Sequence, residues 1–214
     1  MTRHRVMAPP LMAAAAAAAL VAGLMAAPPD PQAGPKAGKA ALPPAVTDTH
    51  SKARPAHDGD TDDDDDAAID ALKKRHLKVP VQGVTRDDLR DTFRERRGSD
   101  RQHEAIDILA ARDTPVLAVE DGTIAKLFLS KPGGITIYQY DPSETYVYYY
   151  AHLARYADGL IERGRVERGQ VIGYVGTSGN APPNTPHLHF AIFKLTSQKH
   201  WWQGTPIDPY PVLK

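Results

Sequence analysis

From Val79 onward the chain is cut every few residues into short runs rich in Val, Ile, Tyr and Phe, and this punctuation constrains its fold more than any other feature. The runs are Thr114–Leu117, Gly122–Leu129, Gly134–Tyr140, Tyr146–Tyr150, Gln170–Val175 and His187–Phe193. Turn-forming clusters separate them: Glu120-Asp121-Gly122, Lys131-Pro132-Gly133-Gly134, Asp141-Pro142 and the stretch from Gly176 to Gly179. Runs this short are strands rather than helices, because β-branched and aromatic side chains suit a pleated, half-buried surface. An all-β, antiparallel domain is therefore expected from about Val79 to the C-terminus. The 19 prolines and 16 glycines fit the number of turns required.

The first third of the chain differs in texture. Arg3, His4 and Arg5 precede an uncharged Ala/Leu/Val/Met run from Met7 to Ala27. That order predicts a signal peptide or N-terminal anchor over residues 1–27, and hence export to the periplasm or cell envelope. Residues 28–66, rich in Pro, Ala and finally Asp, have no hydrophobic period and read as a disordered linker. The run Asp62–Asp66 lacks the spaced ligands of a calcium loop and reads as a solvated, self-repelling segment. A short helix is expected over Ala67–Lys78, within a lead-in spanning 67–97, with Lys73, Lys74, Arg75 and Lys78 near its C-terminal end and Pro80 as its stop.

Charge and cysteine content narrow the chemistry. Twenty-six basic residues balance 26 acidic ones, so no global field attracts nucleic acid. There are no cysteines, which excludes disulfides and thiolate ligands and leaves His and carboxylate for any metal. Three segments then stand out. In an extended strand His103 and Asp107 share a face, with Ile106 and Ile108 on the other. A carboxylate between two residues that favour burial needs a cation, either an arginine or a metal. His187 and His189 likewise share a face while Leu188 and Phe190 turn to the core, and paired imidazoles favour a metal site over a structural role. The run Tyr148-Tyr149-Tyr150 ends in Ala151-His152-Leu153, placing one more histidine at the end of an apolar strand. Two imidazoles and a carboxylate fill three positions of a tetrahedral zinc and leave a fourth for water, the arrangement of a catalytic site. A spare histidine alongside then has the task of general base.

These segments resemble the lysostaphin-like zinc endopeptidases of the M23 type, the LytM domains. The family pattern is matched in order by His103 to Asp107, by Tyr150-Ala151-His152-Leu153 and by Pro186-His187-Leu188-His189-Phe190, with supporting likeness at Thr114–Val116, Ala118–Gly122 and Val166–Gly173. The resemblance runs from about Arg97 to Pro209 and implies a peptidase domain over 98–214, with the antiparallel sheet of the lysostaphin-like, duplicated hybrid-motif type. It implies that His103, Asp107 and His189 hold Zn2+, that His187 activates the metal-bound water, and that His152 positions that water and stabilises the oxyanion. Strand geometry alone does not separate ligand His189 from base His187. The implied substrate is the peptide crosslink of bacterial peptidoglycan. Two departures are visible: Glu104 stands where the family commonly has glycine, and Ile135–Tyr140 lacks a frequent histidine.

Two other readings compete. A non-catalytic regulator or wall-binding module shares this fold, but a decayed copy is expected to have lost one of the five polar groups, and this chain keeps them all. A biotinyl- or lipoyl-like carrier would need a lysine at a hairpin tip, which is not evident. Trp201, Trp202 and Tyr210 are expected to pack the C-terminal segment onto the sheet, Gly176–Pro186 to border the cleft, and Arg94, Arg96, Arg97 and Arg101 to form a solvated basic lead-in.

Overall fold

The computed structural model describes residues 61–98 and 101–214. The expected signal or anchor segment, and the linker as far as residue 60, lie outside the described residues.

Among the described residues eleven strands and two α-helices follow one another: α1 (Thr61–Lys73), β1 (Arg96–Arg97), β2 (Arg101–Gln102), β3 (Ile106–Leu109), β4 (Pro115–Leu117), β5 (Gly122–Ser130), β6 (Gly134–Tyr140), β7 (Tyr146–Tyr156), β8 (Arg165–Val166), β9 (Val171–Val175), β10 (His187–Leu195), β11 (Gly204–Ile207) and α2 (Pro209–Leu213). β1 and β2 form a small separate ribbon. The other nine strands make one antiparallel sheet, ordered β11-β10-β7-β6-β5-β8, with β3 on β10 and with β9 joining β7 to β4. The all-β, antiparallel expectation is met, and each of the six strongest runs overlaps a strand, with β5, β7 and β10 extending beyond their runs.

The sheet is buried on both faces at its centre, which is why β7 reads as an unbroken aromatic run instead of alternating with polar residues. Tyr148 and Tyr150 of β7 join Ile137, Leu188, Phe190 and Ile192 in the main core. Val147, Tyr149 and Ala151, the intervening positions, join Tyr138, Ala191 and Phe193 on the opposite face. Trp201 covers this second face, its ring 4.6 Å from Tyr138 and 5.6 Å from Phe128.

α1 begins six residues before the expected start and ends five before the expected end. Asp64, Asp65 and Asp66 fall in its opening turns, where carboxylates favour the positive end of the helix dipole. Ala68 and Leu72, one turn apart, bury against the main core. The helix stops early because His76 takes a left-handed φ of 52°, with the Arg75 and His76 N–H groups bonded to the Leu72 and Lys73 carbonyls. This turn sends Arg75 back to Glu120 and Asp141, at 3.0 and 2.9 Å, and releases the next residues to pair with β4 through Val81 and Val116.

Candidate metal centre

Three neighbouring strands carry most of the site. Asp107 of β3 and Ala151 of β7 are the direct cross-strand partners of His189 in β10, one on each side. His189 and His187 therefore rise from the sheet beside Asp107, while Leu188 and Phe190 enter the core.

His103 arrives by another route. It lies between β2 and β3, and Glu104 next to it has φ of 55°, so 103–107 is not one extended strand. The expectation of a shared strand face is corrected here. His103 is instead fixed by its own N–H to the Glu95 carbonyl, at 2.9 Å, and by the Glu104 N–H to the Phe93 carbonyl, at 3.0 Å. Left-handed backbone costs a non-glycine residue about 1 kcal/mol, a cost that Glu104 bears and a glycine there would not.

His152 owes its position to a β-bulge. Between Ile137↔Tyr150 and Ile135↔Leu153, the two residues Ala151 and His152 face the single residue Thr136. His152 has φ of 60° and donates its N–H to the Gly133 carbonyl at 2.8 Å. A bulge re-aims one side chain, and here it turns His152 towards the other histidines, 5.0 Å from the His187 ring and 5.5 Å from that of His189.

The donor atoms converge. His103 Nε2 is 3.0 Å from both His189 Nδ1 and Asp107 Oδ1, and the last two are 3.1 Å apart. Around a tetrahedral zinc with bonds of about 2.0–2.1 Å, such atoms would stand about 3.3 Å apart. The triangle is within a few tenths of an ångström of that spacing, and the donor set suits zinc. His187 stands just outside it, with Nε2 3.8 Å from Asp107 Oδ1.

Backbone carbonyls set three of the four rings. His103 Nδ1 lies 3.0 Å from the Thr92 carbonyl, His152 Nδ1 is 2.9 Å from that of Ser178, and His187 Nδ1 is 2.7 Å from that of Thr185. A carbonyl only accepts, so each neutral ring carries its hydrogen on Nδ1 and keeps a lone pair on Nε2. Burial, reinforced by neighbouring His189, lowers the His152 pKa to about 4 and holds the ring neutral. His189 is lowered for the same first reason, burial, with His103 and His187 adding to it. Burial alone would raise Asp107, but the bonds to His103 and His189 outweigh it and hold the carboxyl well below its usual range.

All five polar groups line one cleft of about 380 Å³. Tyr149, Ala191 and Phe193 contribute from the second face of the sheet, Arg97, Arg101 and Glu104 from the side of the ribbon, and Asn180, Ala181, Pro182 and Thr185 from the loop before β10. That loop borders the cleft as expected. Arg97 and Arg101, expected in a solvated basic lead-in, line the cleft instead, and Arg97 is drawn there by the Asp107 carboxylate. Thr92 carries no signal in the sequence, yet it accepts from His103 through its carbonyl and from the Asp107 N–H through Oγ1, at 3.1 Å.

A nearly equilateral cluster of two histidines and an aspartate, flanked by two further histidines in an open cleft, defines the class of site that supports metal-assisted hydrolysis. The chain belongs to peptidase family M23, whose family model matches residues 101–209. It is similar to the L-Ala--D-Glu endopeptidase of Bacillus subtilis, with 38% identity over 122 residues covering 55% of this chain and 36% of that protein. It is also similar to the glycyl-glycine endopeptidase ALE-1 of Staphylococcus capitis, 31% identical over 113 residues, 52% of this chain and 29% of that one. The chain thus spans about a third of the length of these relatives. Among solved structures, Csd3 of Helicobacter pylori shares the fold, with a TM-score of 0.50 and 24% identity over 64% of this chain and 34% of that chain.

Proposed function

We propose that this chain is an exported, zinc-dependent endopeptidase that hydrolyses peptide crosslinks of bacterial cell-wall peptidoglycan. His103, Asp107 and His189 hold the metal in this reading, and His152 and His187 handle protons. The observation that carries it is the triangle of donor atoms at 3.0–3.1 Å beside two histidines whose Nε2 lone pairs are left available. Zinc held there would polarise the scissile carbonyl and lower the pKa of water towards ~7.

His187 Nε2 takes the proton of the attacking water and delivers it to the leaving amine, steadied throughout by the Thr185 carbonyl. His152, neutral at physiological pH, accepts a hydrogen bond from the water at Nε2 and so orients its attack. It stabilises an oxyanion only once that nitrogen carries a proton. The cleft combines apolar side chains, Tyr149 and Phe193, with charged ones, Arg97, Arg101 and Glu104, a lining that could meet both the side chains and the polar backbone of a peptide. The two relatives are named for different bonds, so the relatives supply the substrate class and not the bond.

The test is to incubate the zinc-loaded protein with isolated peptidoglycan and identify released fragments by mass spectrometry, with His187→Ala as control. Fragments cut within the crosslinks, and absent with the variant, are expected. A folded, zinc-bound protein that cuts nothing would overturn the enzymatic reading in favour of a regulatory or wall-binding module.

A further inference from the structure

Arg97 belongs to the ribbon beside the cleft, and its guanidinium reaches two of the three donor residues. Nη2 lies 2.6 Å from Asp107 Oδ2, against 3.0 and 3.1 Å from His103 Nε2 and His189 Nδ1 to Oδ1. The two oxygens of the carboxylate are thus divided: one faces the arginine and the other faces the imidazoles. The same Nη2 is 3.2 Å from His103 Nδ1 and 3.3 Å from Nε2. An atom on the Nε2 lone-pair axis would be far nearer to Nε2 than to Nδ1. Near-equal distances place the guanidinium over the face of the ring, so the in-plane lone pair stays available. Arg97 Nε is buried without a hydrogen-bond partner among the described residues, a cost that the Nη2 contacts must offset.

We propose that Arg97 is a positioning residue of the metal centre. By holding Oδ2 it restricts Asp107 to donating through Oδ1 alone, and with Nη2 lying over the face of His103 it fixes that ring, so that three donor atoms and no more meet the metal. The inference rests on the assignment of His103, Asp107 and His189 as ligands. A one-oxygen aspartate keeps the fourth position open, whereas an aspartate free to rotate could close it with its second oxygen.

The test uses zinc affinity, by competition with a chromophoric chelator, and the visible spectrum of the cobalt-substituted protein, which reports coordination number. The wild-type protein is expected to bind one ion in a four-coordinate site, and His103→Ala to lose it. Arg97→Gln is expected to weaken zinc binding about tenfold or more and to shift the cobalt spectrum towards five-coordination. Arg97→Lys, with one charged donor but no planar fork, should recover part of the affinity. A wild-type affinity and spectrum in both variants, with unchanged melting temperatures, would overturn the role of Arg97 and leave the metal site standing. Tighter zinc binding in Arg97→Gln would do the same, by showing that the guanidinium competes with the ion. Failure of the wild-type protein to bind either ion would overturn the ligand assignment itself, and this inference with it.

Discussion

Substituting Gly134 by alanine tests how the loop carbonyl that sets His152 is held in place. Gly134 opens β6 with φ of 66°, and a Cβ there would collide with Ser178 and the backbone of Gly179. Ser178 is tied in from both sides: its Oγ accepts from the Ile135 N–H at 2.9 Å and donates to the Leu153 carbonyl at 2.7 Å. Its own carbonyl is the partner of His152 Nδ1. Gly134→Ala thus carries about 1 kcal/mol for a left-handed alanine. A further roughly 1–3 kcal/mol follows from pushing a packed loop aside. Gly159 supplies the reference, because it has φ of 76° and nothing within 4 Å of an added Cβ. Gly159→Ala should show only the backbone cost of about 1 kcal/mol. Urea unfolding of the two variants should differ by about 1–3 kcal/mol, with Gly134→Ala the less stable, and melting temperatures should separate by roughly 3–12 °C. Gly134→Ala should also lose hydrolysis at temperatures where it remains folded, since the His152 ring loses its partner. Equal destabilisation of both variants, or a fully active Gly134→Ala protein, would refute the reasoning.

Other regions give independent tests. Asp141 is buried, which alone would raise its pKa, but bonds from Ser143, the Tyr146 N–H and Arg75 outweigh this and lower it. Its ionised form therefore adds stability above the unfolded carboxylate value, and that stability is lost as pH falls below about 4. Asp141→Asn should cost about 2–3 kcal/mol at pH 7 and flatten the acid limb of a pH series of urea melts, since Arg75 keeps partial solvent exposure. Trp201→Ala removes the ring over Tyr138 and Phe128 and should lower stability by about 2 kcal/mol, with zinc affinity unchanged in a chelator competition. His152→Gln should bind zinc within a few-fold of the wild-type protein yet lose most hydrolysis, by about 10²-fold or more in kcat; matching losses of both would make His152 a ligand.

Strands were legible wherever burial imposes a pattern. The run Tyr146–Tyr150 and the pair His187/His189 could be placed from residue type and spacing, because a buried sheet tolerates little else. Elements held only by tertiary contact were not legible. The strands Arg165–Val166 and Gly204–Ile207 are too short to show a period, and the latter includes Pro206, a residue that discourages a strand reading. The final turn, Pro209–Leu213, is opened by Asp208 accepting from the Tyr210 N–H at 2.9 Å, in a stretch whose prolines suggest irregular chain. At the site, the residue types pointed to a metal, but the backbone that converges them did not show. Glu104 and His152 both take left-handed conformations that no sequence rule assigns to glutamate or histidine. The cation expected for Asp107 was left open between an arginine and a metal, and the carboxylate proves to have an arginine on one oxygen and two imidazoles on the other.

The donor residues enter the site from distant parts of the chain, His103 and His189 being 86 positions apart with the hairpins of β5 to β9 between them. Until β3 has docked on β10, the three assigned ligands are split into His103 with Asp107 on one side and His189 on the other, and one imidazole and a carboxylate bind zinc weakly. Closing so long a loop is among the slower events expected in folding a sheet of this kind. An ion held there would therefore arrive last: it would not nucleate the topology, and it would stabilise only molecules that have already completed it, by an amount that grows with its concentration. Zinc supply would then govern how long the finished domain survives, and leave the rate at which it forms untouched.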